Sequence, residues 1–430
     1  MISTQSEQNK NTTQFLPRSA HERIEALDIL RGVAILGILI VNMGVFAYPF
    51  LGYQIMGGTP WDDTTNKITE HLIRFFAEGK FYSLFSLLFG AGIMLQFQRA
   101  ESRNVNFKPY YLRRIGILLI IGLLHALLFW MGDILTLYAL CGFGLLLFIN
   151  RKPKTILIWT VIFLMIPTIV VVAFYGLMQF VQSMPEFADD IDQQIEGQQA
   201  FASWLIEGAY AAYRDGTYGQ IFAFRAIEFA IVLGSGIFWF PNVFAMMLIG
   251  IYAIKKDLIN RMIVDKEFTL RIFKLFLIIG IPINGLFTVS YALMDPIRTN
   301  IWYVLTYFSF SFAGLTLSLA YISGIILLLR SERWQKRWKP LASVGRMALT
   351  NYLLQTVICT TLFYSYGFGL YGSVGPAVGL VITILIFSLQ LNLSPVWLRY
   401  FHYGPVEWVW RSLTYKEVQP FRRGESERNN

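Results

Sequence analysis

Long apolar runs separated by short polar segments dominate the chain from residue 27 onward. Each run is long enough for a helix, and several are close to the minimum of about 17 residues that crosses a hydrocarbon core of about 30 Å. The runs lie at residues 27–50, 81–97, 112–131, 134–149, 156–178, 226–254, 273–293, 303–329, 344–364 and 376–393. This pattern predicts an all-α, polytopic membrane helical bundle with about ten transmembrane helices.

Basic residues alternate between the loops on the two sides of this predicted bundle. The loops that would share a side with the termini carry 29 Lys and Arg residues, whereas the opposite loops carry six. Cytoplasmic loops of membrane proteins are enriched in Lys and Arg. The asymmetry therefore predicts that both termini are cytoplasmic.

A single membrane domain, residues 27–393, is predicted between a polar cytoplasmic N-terminal tail, residues 1–26, and a cytoplasmic interfacial segment, residues 394–430. In that last segment Glu407 and Arg411 are four residues apart and are expected to pair on one helix face. The longest extracytoplasmic loop, residues 179–221, is acidic, with apolar residues near helical spacing. We expect two short amphipathic helices there, either in a solvated loop or as a lid over an outward-facing site.

Composition narrows the class of protein. Hydrophobic residues make up 55% of the chain and charged residues 15%, against about 25% charged residues in soluble proteins. The net charge of +9 comes mainly from loops between apolar runs, so no nucleic-acid partner is expected. Cys141 and Cys359 lie inside apolar runs at no metal or redox spacing, so we expect buried thiols, no metal site and no permanently bound cofactor.

His125 is the histidine that lies inside an apolar run, and an ionisable group at that depth indicates a functional site. A histidine can take and return a proton near neutral pH, so His125 either serves as a general base or makes an interhelical hydrogen bond. Asp133 follows eight residues later, about 12 Å away on a continuous helix, which is too far for contact. Asp133 either caps the next helix or is folded back towards His125 by the turn at Gly132.

Arginines near the cytoplasmic ends of the predicted helices are the candidates for binding an anion. Arg31 shares a helix face with Asp28, and its planar guanidinium suits a phosphate or carboxylate, although the two residues could form a purely structural pair. Arg114 and Arg346 are further candidates on the same side. Asn42 lies about 16 Å along the first helix from Arg31, at a depth comparable to that of His125, and is a candidate for binding substrate.

The run at residues 344–364 carries a polar stripe in an otherwise apolar helix. Asn351 and Gln355 are four residues apart and therefore face one direction. Amides in hydrocarbon need partners, so this face points into the bundle. It either lines a cavity and binds substrate or joins neighbouring helices by hydrogen bonds.

Five segments of the chain resemble one known family. They are LDILRGVAILGILIVN (residues 27–42), FSLLFGAG (85–92), GLLHALLFWMGDIL (122–135), VGRMALTNYLLQTVICTTLFY (344–364) and YGPVEWVWRSLTY (403–415). Together they resemble the YeiB-like bacterial inner-membrane proteins over nearly the whole chain. That family is grouped with transmembrane acyltransferases similar to lysosomal heparan-glucosaminide acetyltransferase and the bacterial sugar O-acyltransferases.

The resemblance implies a multi-pass protein of the bacterial inner membrane that moves an acyl group from a cytoplasmic thioester to a carbohydrate or lipid. Arg31, Gly32 and Asn42 match the opening of the acetyltransferase pattern. The chain departs from that pattern because the proposed catalytic histidine of the larger group follows the first span, whereas residues 43–69 contain none and His71 lies farther on. Either His125 takes that role or the chemistry differs.

These observations favour a membrane acyltransferase that uses acyl-CoA as co-substrate and a glycolipid or carbohydrate as acceptor. In this hypothesis Arg31, Arg114 and Arg346 hold the donor, His125 is the general base, and Asp133 orients it or binds the acceptor. The alternatives are a transporter or exporter of a small anionic or lipid-like solute, and a non-catalytic membrane scaffold. Transporters often contain paired repeats with broken helices, and no such repeat is apparent in this chain.

Overall fold

The computed structural model describes residues 25–424, which form a bundle of seventeen α-helices. The helices are α1 (Glu25–Ala47), α2 (Phe50–Met56), α3 (Thr64–Phe76), α4 (Lys80–Ser102), α5 (Phe107–Leu128), α6 (Leu135–Leu145), α7 (Pro153–Gln182), α8 (Ala188–Ala209), α9 (Tyr218–Gly234), α10 (Gly236–Lys255), α11 (Leu258–Val264), α12 (Lys266–Leu293), α13 (Ile301–Leu328), α14 (Glu332–Arg346), α15 (Ala348–Phe363), α16 (Pro376–Tyr400) and α17 (Pro405–Tyr415). The predicted N-terminal tail, residues 1–26, lies outside the described residues except for its last two positions. The all-α prediction is confirmed for the described part of the chain, where the β-pairing is a single bridge between Phe401 and Arg422.

Side chains before several helices accept the backbone amides that the first turn leaves unbonded. Asp63 accepts from the amide of Asn66 at the start of α3, and Asp265 accepts from the amide of Phe268 at the start of α12. Thr217 forms a reciprocal capping box with Gln220 at the start of α9. Polar residues at the ends of the apolar runs thus fix where these helices begin.

Within residues 25–424, eight helical segments are long and apolar enough to cross a membrane, which is the character of a multi-pass membrane protein. Eight of the ten predicted spans correspond to these segments, and the other two correspond to the shorter apolar helices α6 and α15. Helix α6 has 11 residues. It is therefore about 16 Å long, roughly half of a hydrocarbon core of about 30 Å.

Two predictions about individual segments are wrong. Residues 226–254, predicted as one span, belong to two helices, because the chain breaks at Ser235 between α9 and α10. The loop at residues 179–221 was expected to form two short helices, but α8 runs unbroken through Gly197 as one helix of 22 residues. A glycine inside a helix is tolerated at a cost of about 1 kcal/mol, so Gly197 does not end α8.

Close helix crossings hold the centre of the bundle together. A Cβ atom built on Gly90 of α4 would lie 2.0 Å from the carbonyl oxygen of Met247 on α10, and one on Gly250 of α10 would lie 2.0 Å from that of Leu87. These glycines therefore let the two backbones touch, as small residues do in membrane bundles. Helices α12 and α13 form another pair, joined by a hydrogen bond of 3.1 Å from Asn284 Nδ2 to the carbonyl oxygen of Ala313.

Candidate functional site

His125 lies at the centre of the candidate site, close to the end of α5. Its side chain is 3% exposed. Nδ1 of His125 lies 2.8 Å from Oδ1 of Asp133, and Nε2 lies 3.0 Å from Oγ1 of Thr356. A carboxylate can only accept hydrogen bonds, so beside ionised Asp133 the proton of neutral imidazole belongs on Nδ1 and Nε2 is the basic nitrogen. This is the arrangement of a histidine oriented by an acid for general-base catalysis.

The estimate of about 12 Å between His125 and Asp133 does not apply, and the structure shows both of the roles that the sequence left open for Asp133. The estimate assumed a continuous helix, but α5 ends at Leu128 and the chain turns before α6 begins at Leu135. The turn folds the Asp133 carboxylate back onto the imidazole. The second oxygen of Asp133, Oδ2, accepts from the amide of Thr136 at 2.7 Å, so one side chain both caps the start of α6 and contacts His125.

Gly122, one turn before His125, allows the start of α6 to approach α5. A Cβ atom at this position would lie 2.5 Å from the amide nitrogen of Thr136 and 3.0 Å from Oδ2 of Asp133. Such distances are far shorter than real Cβ contacts, so any larger residue would push the turn away. The His125–Asp133 contact thus depends on the absence of a side chain at position 122.

The last carbonyl groups of α5 are held from a neighbouring helix. Arg225 on α9 donates from NH1 to the carbonyl oxygen of Leu127 at 3.2 Å, and the hydroxyl of Tyr218 donates to that of Leu128 at 2.7 Å. Carbonyls at a helix end lack intrahelical partners, so these bonds satisfy them and fix the point at which α5 stops. They hold the backbone two and three residues beyond His125.

Thr356 and Tyr352 on α15 complete the surroundings of His125. Thr356 is 1% exposed, and its hydroxyl also lies 3.4 Å from the carbonyl oxygen of Tyr352. The centroid of the Tyr352 ring lies 5.3 Å from that of the imidazole. Sequence reasoning missed Thr356 because it is 231 residues from His125. Its position four residues after Tyr352, on the same helix face, is the signal that could have found it.

One cavity of about 300 Å³, which we call the arginine cavity, lies beside the site. Among the described residues its charged lining consists of five arginines and two carboxylates, namely Arg31, Arg99, Arg114, Arg346, Arg411, Asp28 and Glu407. The predicted donor residues Arg31, Arg114 and Arg346 therefore all line one cavity. The expected pair of Arg31 with Asp28 is confirmed, with 2.6 Å between NH1 and Oδ1.

Two groups of α17 contribute to the arginine cavity in a way the sequence did not indicate. The expected Glu407–Arg411 pair does not form; instead Glu407 Oε1 accepts from the amides of Leu349 and Thr350 at 2.7 and 3.0 Å. Glu407 thereby caps the start of α15, and burial raises the pKa of its carboxyl group. Arg411 lies 4.5 Å from the centre of the Tyr403 ring, and its Nε and NH2 are buried without a hydrogen-bond partner among the described residues.

A second cavity, of about 350 Å³, lies on the Asp133 side of the site, and we call it the acidic cavity. Its charged lining within the described residues consists of three carboxylates and one guanidinium, namely Glu70, Glu78, Asp133 and Arg74. Arg74 is already paired, with 3.0 Å to Glu70 and 3.4 Å to Glu78. The guanidinium also stacks 3.6 Å from the centre of the Tyr291 ring.

The two candidate residues on α1, Arg31 and Asn42, line different cavities. Asn42 lines the acidic cavity, whereas Arg31 lines the arginine cavity. Ile38 and Ile134 line both, so the two spaces meet near the turn that carries Asp133. His125 itself lines neither cavity, but its partner Asp133 faces one of them and its neighbour Tyr352 faces the other.

Asn351 and Gln355 line neither cavity. Asn351 Nδ2 donates to the hydroxyl of Ser394 at 3.1 Å, and Gln355 Nε2 donates to Oε1 of Gln390 at 2.8 Å. Gln390 in turn donates to the carbonyl oxygen of Asn351 at 2.9 Å. This geometry joins α15 to α16 and matches the interpretation of the polar stripe as interhelical hydrogen bonding.

Comparison with known proteins places the chain among bacterial relatives of similar length. Residues 253–417 match the model of a family described as protein of unknown function (DUF418). Over 423 residues the chain is 34% identical to the uncharacterized protein YxaH of Bacillus subtilis, which covers 95% of this chain and 98% of the relative. It is 30% identical to an uncharacterized 39.9 kDa protein of Bacillus acidopullulyticus over 94% of the chain and 97% of the relative. It is 28% identical to the uncharacterized protein YeiB of Escherichia coli over 93% and 98%.

Proposed function

The chain belongs to the DUF418 family of proteins of unknown function, and we propose from the chemistry of its site that it is a membrane acyltransferase. In this proposal acyl-CoA binds in the arginine cavity on the cytoplasmic side of a bacterial inner membrane. The acceptor, a lipid or carbohydrate with a free hydroxyl or amine, binds in the acidic cavity. The observation that carries the proposal is the His125–Asp133 pair beside the junction of these two oppositely charged cavities.

The arginine cavity has the chemistry of a phosphate-binding donor site. Guanidinium groups form bidentate, charge-assisted hydrogen bonds with phosphate. Arg411 supports this role because two of its nitrogens are buried and unbonded within the described residues, which leaves them free for a ligand. Arg114 packs its guanidinium 3.7 Å from the centre of the Trp410 ring, which holds the charge in place without a carboxylate.

Transfer would proceed by direct attack of the acceptor on the thioester. Nε2 of His125 takes the proton of the acceptor hydroxyl or amine as its oxygen or nitrogen bonds to the acyl carbon. The carbon–sulfur bond then breaks, and the departing thiolate receives that proton from His125. The hydroxyl of Thr356, which lies 3.0 Å from Nε2, has the carbonyl oxygen of Tyr352 as an alternative partner at 3.4 Å and can release the imidazole. Asp133 stabilises the imidazolium that forms.

The test is acyl transfer by the purified protein in lipid nanodiscs. Acetyl-CoA labelled in the acetyl group is added with a bacterial lipid extract, and labelled product is separated from donor. Because removing a general base costs about 10²- to 10⁴-fold in rate, His125→Gln is expected to lose transfer by that factor. Asp133→Asn is expected to lose less, because it removes the orienting charge but keeps an oxygen for the Thr136 amide.

The matched control is His71→Gln, since His71 is an exposed histidine on α3 outside both cavities. It is expected to transfer at the wild-type rate. Equal transfer by wild type and His125→Gln would refute the role of His125. Absence of any labelled product from the wild type with every lipid and sugar acceptor tried would refute the acyltransferase proposal.

A transporter of a small anionic solute is the second candidate, because the two cavities share Ile38 and Ile134 in their linings and would form one path if these residues moved apart. The separation at Ile38 and Ile134 would then be the closed gate. Uptake of an organic anion into proteoliposomes without any thioester would favour this function. Such uptake is not expected from the acyltransferase.

A further inference from the structure

We propose that the acidic cavity binds an amphiphile, with an apolar chain and a polar head that carries no negative charge, and that this molecule enters sideways from the membrane. The inference rests on the proposed function in one respect: the head would be the acyl acceptor. Three features of the acidic cavity carry the inference: the excess of carboxylates in its lining, its apolar wall and its polar groups without hydrogen-bond partners among the described residues.

The charge of the cavity disfavours an anionic head. Three carboxylates face one guanidinium in its lining, and Arg74 is shared between Glu70 and Glu78. Lys80 lies behind the wall, fully buried, where Nζ donates to the carbonyl oxygen of Arg74 at 2.7 Å. Even with Lys80 included, carboxylates outnumber cations. A phosphate or carboxylate head would meet like charge, whereas a hydroxyl or an ammonium group would find hydrogen-bond acceptors.

One wall of the cavity is apolar and opens at the surface of the bundle. It comes from the break between α9 and α10 and contains Phe229, Val232, Leu233, Trp239, Phe240 and Val243. Leu233 is 43% exposed and Trp239 is 42% exposed, although both line the cavity. The opening is therefore bordered by apolar side chains at the outer surface of a membrane bundle, where lipid chains lie. An alkyl chain can pass there without leaving an apolar environment.

The lining of the cavity also contains polar groups that have no hydrogen-bond partner among the described residues. Trp130 is 1% exposed and Thr136 is 3% exposed, and Nε1 of the first and Oγ1 of the second make no hydrogen bond within the described residues. Asn42 lines the same space, and its amide likewise makes no side-chain hydrogen bond in the part of the chain that the structure describes. Buried polar groups are normally bonded. Trp130, Thr136 and Asn42 together supply donors and acceptors for a head that reaches Asp133.

The inference is tested by photolabelling in nanodiscs without any thioester. Three probes share one long alkyl chain with a diazirine and differ in their heads: a hydroxyl, a primary ammonium and a phosphate. Labelled peptides are mapped by mass spectrometry. We expect the hydroxyl and ammonium probes to label α1 and the α9–α10 region saturably, in competition with an unlabelled long-chain alcohol. The phosphate probe is expected to bind there about tenfold more weakly because of the excess carboxylates.

A matched pair of variants tests the lateral entrance. Leu233→Trp fills the opening, whereas Ile227→Trp changes a residue of α9 with the same exposed fraction, 43%, that does not line the cavity. Leu233→Trp is expected to lower saturable labelling about fivefold, roughly 1 kcal/mol, and Ile227→Trp to leave it unchanged. Equal labelling by the three probes would refute the argument from charge. Equal labelling of the two variants would refute the lateral entrance at Leu233.

The outcomes separate this inference from the proposed function. Saturable labelling by the hydroxyl probe in a protein that transfers no acyl group would support the amphiphile site and refute the acyltransferase. Acyl transfer to a short, water-soluble acceptor, with no saturable labelling in the acidic cavity, would support the acyltransferase and refute the amphiphile site.

Discussion

The two cavities are similar in size, about 300 and 350 Å³, but opposite in charge. The arginine cavity draws its guanidinium groups from five different helices, whereas the acidic cavity draws three of its four charged residues from α3 and the turn that follows it. A solute that crosses by alternating access would meet both linings in turn. A lining rich in arginines attracts an anionic solute, whereas a lining rich in carboxylates repels it. Linings of opposite charge are therefore better suited to two chemically different substrates than to one anionic solute. The comparison thus favours a group transfer over transport, and the following substitutions test it.

Among these substitutions, the largest effect is expected from Gly122→Ala, which acts beside the turn that carries Asp133. The added Cβ would lie 2.5 Å from the Thr136 amide, so the start of α6 must move and the His125–Asp133 contact must lengthen. We expect transfer to fall about 100-fold and the free energy of unfolding to fall by about 1 to 3 kcal/mol. Transfer assays and thermal unfolding in nanodiscs measure the two effects.

Gly116→Ala is the control for that substitution, because Gly116 lies on the same helix and a Cβ there would meet nothing within 4 Å. It is expected to keep the wild-type rate and to be as stable as the wild type or slightly more so, since alanine favours helix. If both glycine variants behave alike, the close approach of α5 and α6 is not what holds the site together.

A smaller effect, confined to the arginine cavity, is expected from Arg411→Gln. Loss of a charged hydrogen bond of about 1.5 to 3 kcal/mol should raise the KM for acyl-CoA about 10- to 100-fold. Labelling of the acidic cavity by the hydroxyl probe should not change. Arg271→Gln is the control, since Arg271 is 80% exposed and pairs with Glu267 outside the cavity. Equal loss of donor and amphiphile binding would contradict the assignment of separate substrates.

The smallest effect concerns the carboxyl group of Glu407, which lines the arginine cavity. Burial raises its pKa, so the folded state favours the protonated form. The resulting stabilisation is complete below the unfolded pKa of about 4.3 and is lost as pH rises through the folded value. The melting temperature of the wild type should therefore contain a component that falls with rising pH across this interval. Glu407→Gln, which keeps an oxygen for the two amides, should lack it, and an unchanged pH slope in the variant would be evidence against the assignment.

Periodicity and charge were enough to predict the class of the fold and the grouping of the arginines. Arg31, Arg114 and Arg346 were each predicted on the same side of the bundle. Side chains at a similar depth in one bundle can line the same space, as these three do in the arginine cavity. Asn42, predicted at a depth comparable to that of His125, lines the acidic cavity together with Asp133. These predictions need only the rise per residue and the length of each helix.

The remainder depended on tertiary structure. Whether Asp133 reaches His125 is decided by where α5 stops, and that point is fixed by Arg225 and Tyr218 on a distant helix. The break at Ser235 interrupts a run that is apolar on both sides, so hydropathy gives no sign of it. The sequence was compatible with Asn351 either lining a cavity or bonding a neighbouring helix. The hydrogen bond to Ser394 on α16 identifies the second environment.

The arginine cavity combines side chains of the first and the last helix of the described residues. Asp28 and Arg31 come from α1, and Trp410, Arg411 and Tyr415 come from α17, which lies between the two residues of the Phe401–Arg422 bridge. During translation the first wall of the cavity exists long before the last one is made. The arginine cavity is therefore completed only after α17 has been synthesised. A chain cut short after α16 would keep the eight long apolar helical segments of the described residues and yet lack the α17 wall of the arginine cavity. Under the proposed function, such an abortive product would insert into the membrane without a complete site for the thioester.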